Sequence, residues 1–185
     1  PITGDEPFAV EMAGVSNRAV VAVINDGVSS TYSIIDLDAL TETDVLPAGA
    51  HGSIGFIWTV EIGSVKNYFT QFAISPDGGT LVGPDISGDQ VWIYDVATAT
   101  FVDVLATAAG PTAVDIASDG SFAVVTCEAG NSVVRIDLGG APAVAATWPV
   151  PDATDRVVAL SGDDAKVLVA AGADPSALEG VANTP

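Results

Sequence analysis

Scarcity sets the first limits on this chain. Its 185 residues include one cysteine, one histidine and five basic side chains, against 24 acidic ones. With Cys127 alone, no disulfide can form within the chain. Zinc, copper and haem centres usually draw on several His or Cys ligands, and His51 and Cys127 stand in separate segments, so transition metals are disfavoured. His51 is also the sole imidazole base, and no Gly-x-Ser-x-Gly turn presents a nucleophile, which argues against Ser-His-Asp hydrolysis. The 19 glycines form no Walker or dinucleotide phosphate loop. Arg18, Lys66, Arg135, Arg156 and Lys166 are scattered over a net charge of −19. A surface of that sign repels polyanions, so nucleic acid and anionic membrane surfaces are poor partners. Gly, Pro or Asp interrupts every apolar run before the roughly 20 residues that a spanning helix needs, and no membrane insertion is expected.

What is present points to a folded core. Hydrophobic residues make up 49% of the chain and charged residues 16%, a balance that excludes a solvated, disordered polymer. One domain over residues 1–185 is expected. The acidic surface suits high salt, where screening removes its self-repulsion, and equally suits an acidic extracellular protein. Since the chain opens at Pro1, it reads either as a processed form or as a piece of a longer one. Cys127 ends the run Phe122-Ala123-Val124-Val125-Thr126-Cys127 and reads as a small buried hydrophobe.

The strongest signal is repetition. Ser75-Pro76-Asp77-Gly78 returns as Ser118-Asp119-Gly120 and again as Ser161-Gly162-Asp163-Asp164, each between two apolar runs. Asp and Gly there supply the side-chain bond and positive φ of a tight hairpin. A second landmark, apolar-Asp-apolar, appears as Ile35-Asp36-Leu37, Tyr94-Asp95-Val96 and Ile136-Asp137-Leu138. Asp77 and Asp119 stand 42 residues apart, as do Asp95 and Asp137, and that is the spacing of propeller blades. In the first repeat the turn is worn to Ser16-Asn17-Arg18. Alternation places four strands in the third repeat, at Thr112 to Ile116, Phe122 to Thr126, Val133 to Leu138 and Val144 to Trp148. The expected fold is therefore an all-β β-propeller of four-stranded antiparallel blades. Blades are expected at 8–47, 69–108 and 111–150, with a half blade at 155–171. Three and a half blades leave a ring open, so other residues or other chains, including a second copy, are expected to complete it.

These repeats resemble the YVTN-type propeller repeat. The likeness is carried by Ser118 through Cys127, by Asn131 through Leu138, and by Ser75 through Val82 as a second copy. Cys127 replaces the motif's Asn, and Val124 its Tyr. The resemblance implies a secreted, periplasmic or cell-surface protein.

Candidate sites follow from position in the repeat. Recurrence assigns Asp36, Asp95, Asp137, Asp77 and Asp119 to architecture, as carboxylates that accept backbone N–H bonds at the turns. Glu11, Gln71 and Asp115 fall on inner strands and are candidates to face the central channel, although their offsets from the turn signals differ. Residues 48–68 fit no repeat. There Ile54, Phe56, Trp58, Val60 and Ile62 alternate with Gly55, Ile57, Thr59 and Glu61, the pattern of a β arm whose binding candidates are Phe56, Trp58, Glu61 and Tyr68. The same apolar face could instead pack on a neighbouring blade. No cofactor is expected, and calcium is the one ion for which oxygen ligands abound. Asp36, Asp38, Glu42 and Asp44 imitate a calcium loop, yet Thr41 and Pro47 stand where that loop needs Gly and Glu. Two functions follow: a non-enzymatic binding or scaffold propeller for a protein or glycan, or a lactonase-like or hydrolase-like enzyme with calcium at the channel mouth.

Overall fold

A computed structural model describes residues 6–14, 17–25, 29–47, 58–62, 65–69, 72–86, 88–98, 100–150, 158–170 and 178–182. Every regular element among them is a strand. The first sheet is a meander of β1 (Glu6–Met12), β2 (Arg18–Asn25), β3 (Ser29–Asp36) and β4 (Thr41–Pro47). A separate hairpin follows, β5 (Trp58–Ile62) with β6 (Val65–Phe69). The second sheet holds β7 (Ala73–Ile74), β8 (Thr80–Asp85), β9 (Gln90–Asp95) and β10 (Thr100–Ala106). The third holds β11 (Pro111–Ile116), β12 (Phe122–Cys127), β13 (Ser132–Asp137) and β14 (Ala143–Pro149). In the fourth, β15 (Val158–Leu160), β16 (Lys166–Ala170) and β17 (Leu178–Ala182) form three strands.

One turn chemistry builds all four sheets. The N–H groups of Ala13, Ser75, Ala117 and Ser161 each donate to a carbonyl five residues on, at Arg18, Thr80, Phe122 and Lys166, over 2.8 to 2.9 Å. In the last three sheets the turn passes through a left-handed residue, Gly78 at φ 73°, Gly120 at φ 74° and Asp164 at φ 56°. Only the last of these pays a side-chain clash for that backbone, because glycine has no Cβ. The third strand is then tied to the turn: Leu37, Val96 and Leu138 donate to the carbonyls of Asn17, Gly79 and Ser121.

Central strands are apolar on both faces, so each sheet needs two neighbours. All six residues of β12 are buried. Ala123, Val125 and Cys127 pack toward the second sheet, and Phe122 and Val124 toward the fourth. Between the first two sheets lies an aromatic seam in which Tyr32 meets Phe72 at 5.0 Å and Tyr94 at 6.1 Å. Consecutive inner strands approach one another, β1 with β7, β7 and β8 with β11, and β11 with β15, which arranges the sheets about a shared axis. Outer strands lie on the rim. Val102 on β10 and Val144 on β14 are 50% and 42% exposed. Pairing registers shift on β4, β10 and β14 alike, and such bulges bend an outer edge away from straight pairing.

Two boundaries move. Phe69, expected to open the second blade, pairs with Trp58 in the hairpin, because the inserted arm runs its second strand through that residue. The fourth sheet does not stop as a half blade at 171, since β17 pairs with β16 along its whole length. Cys127 is buried, and loss of solvent pushes its thiol up to about 11, so it stays an uncharged core group.

Gly83 marks the tightest point of the aromatic seam: a Cβ there would lie 2.7 Å from the Tyr32 hydroxyl. Tyr32 is 1% exposed and its ring is held by Phe72 and Tyr94, so it has nowhere to move. Gly83→Ala should cost about 1 to 3 kcal/mol in urea unfolding. A variant as stable as the parent would mean the seam is looser than drawn.

Candidate functional site

The recurrent carboxylates cluster at one end of the blades, where first turns and third-strand ends meet. Asp77 accepts the Ser75 hydroxyl at 2.6 Å and Gly79 N–H at 2.9 Å. Asp119 accepts Ser121 N–H at 2.9 Å. Asp163 repeats the Asp77 pattern with Ser161 and Ala165 at 2.6 and 3.2 Å. At the strand ends, Asp36 accepts the N–H groups of Asp38 and Ala39, and Asp95 that of Thr98. Asp137 differs. It pairs with Arg135 at 3.1 Å, and that guanidinium lies 4.0 Å above the Phe122 ring. In the calcium-like loop, Asp36 is held by its own turn and both oxygens of Asp38 accept from Asn17. The side chain of Asp44 lies outside the described residues. No group of three or more His, Cys, Asp or Glu side chains among the described residues is placed to hold a metal ion.

Inner strands bring together two of the three channel candidates. Glu11 and Asp115 each stand two residues before the amide that closes the first turn, at Ala13 and Ala117, and are therefore equivalent. Ala73 and Ala159 occupy the same place in the second and fourth sheets. Gln71 falls outside the described residues. Sequence spacing hid the equivalence because the first turn, Ala13 to Arg18, lacks the Asp-Gly signal. Loss of solvent and then the charge of Asp115 hold the Glu11 carboxyl above its usual value. Burial likewise raises Asp115, opposed by N–H bonds from Leu160 and Ile116 and reinforced by Asp164. Two carboxyls on equivalent inner-strand positions are thus held above their ordinary values, Glu11 in part by the charge of Asp115, and each can hold a proton or accept hydrogen bonds.

Of the arm candidates, Trp58 and Glu61 lie on β5 and Tyr68 on β6, where Trp58 pairs with Phe69, Thr59 with Tyr68 and Glu61 with Lys66. Phe56 lies outside the described residues. The hairpin forms a two-stranded sheet of its own.

No known family profile matches the chain, and no curated protein matches it. Solved structures do. A hydrazine synthase from Kuenenia stuttgartiensis superposes with TM-score 0.72 at 18% identity, over 95% of this chain and 46% of that one. The Cps50 (Swd1) β-propeller domain of Myceliophteria thermophila superposes with TM-score 0.64 at 13% identity, over 92% of this chain and 50% of that one. The fold is a β-propeller. Its four sheets are blades, and this propeller chain spans about half the length of either neighbour. At such identities the likeness concerns architecture, since one propeller scaffold carries many unrelated activities.

The blade carboxylates make opposite pH contributions. Asp77, Asp95, Asp119 and Asp163 sit below the usual aspartate value of 3.8, chiefly through bonds from Ser75, Thr98, Ser121 and Ser161. Their stabilisation is present above 3.8 and is lost as pH falls through the depressed folded values. Asp77→Asn should lower the melting temperature at pH 7 by about 2 to 4 °C, with the gap closing in acid. A gap that persists below pH 2 would contradict the assignment. Glu11 and Asp115, being raised, cost stability when ionised and regain it as pH falls toward their ordinary values. Asp115→Asn should therefore shift the Glu11 carboxyl titration downward by NMR. An unmoved Glu11 titration would separate the two groups.

Proposed function

We propose that this chain belongs to a non-enzymatic, extracytoplasmic binding or scaffold propeller of the YVTN type, which recognises a protein or glycan through its loops and the inserted arm. One observation carries the reading. The repeating carboxylates are committed to turns, strand ends and blade contacts, whereas the β5–β6 hairpin pairs as a sheet apart from every blade. Insertions of this kind in repeat folds lie on one face and often make the binding surface. The net charge of −19 favours neutral or cationic partners over polyanions. The extracytoplasmic setting is supported by the YVTN-type motif around Ser118 to Leu138. Completion of the ring, by a second copy or by further blades, belongs to the same reading.

Replacing residues 58–69 with a short Gly-Ser link should leave the β circular dichroism intact and abolish binding across an array of extracellular proteins and glycans. Binding that survives the replacement would remove the arm from the function. Millimolar calcium should leave the melting temperature unchanged. A rise of several degrees, together with turnover of lactones, would instead make the chain a calcium-dependent enzyme.

A further inference from the structure

The seam between the third and fourth blades differs from the one between the second and third. Asp115, on the inner strand of the third blade, accepts Leu160 N–H of the fourth at 2.6 Å through one oxygen. Its other oxygen accepts Ile116 N–H at 2.9 Å. In the opposite direction, Asp164 of the fourth blade accepts Ser118 N–H of the third with both oxygens, at 3.1 and 3.0 Å. The Ser118 hydroxyl donates to Asp164 at 2.6 Å. Each blade thus extends a carboxylate to a main-chain amide of the other. At the preceding seam the equivalent positions hold Ala73 and Gly120, which have no carboxylate to offer.

Asp164 also occupies the left-handed turn position that Gly78 and Gly120 fill elsewhere. A turn residue selected for backbone ease alone would be glycine. Retaining aspartate at φ 56° makes sense where its carboxylate has work across the seam. Val167 and Val169 are buried against the third blade, while Leu168 on the other face is 43% exposed. Among the described residues, the apolar packing of this sheet runs to the third blade, through a β15 of only three residues that meets β11 and β12.

We infer that the fourth blade is docked to the third by a reciprocal carboxylate latch and opens as a unit of its own when that latch is broken. Opening uncovers the face around Ala113, Val124 and Val133, the surface on which a neighbouring blade stacks. The device rests on the seam geometry and stands whether or not the arm binds a partner.

Amide hydrogen exchange on the full chain tests it. Asp164→Gly relieves the turn and removes one arm of the latch, so the two roles predict opposite signs. The latch predicts that amides of residues 158–170 exchange at least about tenfold faster, while those of β12 and β13 change less than about twofold. Ser118→Ala, which keeps the amide and loses the hydroxyl, should give a smaller increase confined to the same segment. Asp164→Asn, which tolerates the left-handed turn and keeps one acceptor oxygen, should recover part of the protection. Unchanged or slower exchange in Asp164→Gly would make Asp164 a turn residue only. Uniform acceleration in all four blades would mean global destabilisation and would equally overturn a separately opening blade.

Discussion

A four-stranded sheet whose middle strands are apolar on both faces cannot stand alone in water. In β12 every residue is buried, with alternate side chains committed to opposite neighbours. Each seam is therefore a core in its own right, and the stability of a blade is shared with the blades beside it. The remaining features follow from this need to stack. Turns must be tight so that successive sheets keep the same tilt, and the repeated carboxylates gather at the blade ends, clear of the apolar seams.

Aspartate is the residue that closes those ends. At the ends of the blades it accepts main-chain amides that strand geometry leaves over, first in the turn and then at the close of the third strand. Part of the Asp content that makes the chain so acidic is thus the trace of a repeated backbone solution. At the inner end the pattern changes, because Glu11 and Asp115 alternate with alanine and the charge of Asp115 reaches Glu11. At the seam between the third and fourth blades it changes again, as two aspartates reach between blades.

Much of the architecture was legible because turn chemistry is local. Asp77, Asp119 and Asp163 announce their hairpins by themselves, and the four strands of the third blade fall within a residue or two of where alternation places them. What escaped was set by partners distant in sequence. Phe69 reads as the start of a blade until its pairing with Trp58 is known. Glu11 and Asp115 could not be matched by counting, since the first turn is held by main-chain bonds without its Asp-Gly. Asp164 reads in the sequence only as part of the third copy of the turn, and its meaning appears with Ser118 opposite it. Asp137 looked like its two counterparts, but a neighbouring Arg135 captured it.

The shifted registers on β4, β10 and β14 have a further consequence for how such molecules meet. A straight rim would let any two copies zip together side by side through main-chain bonds, indifferent to side chains and without limit. Kinked rims deny that route, so the outer strands offer a neighbour no straight edge to pair with, and contact at the rim depends on individual side chains.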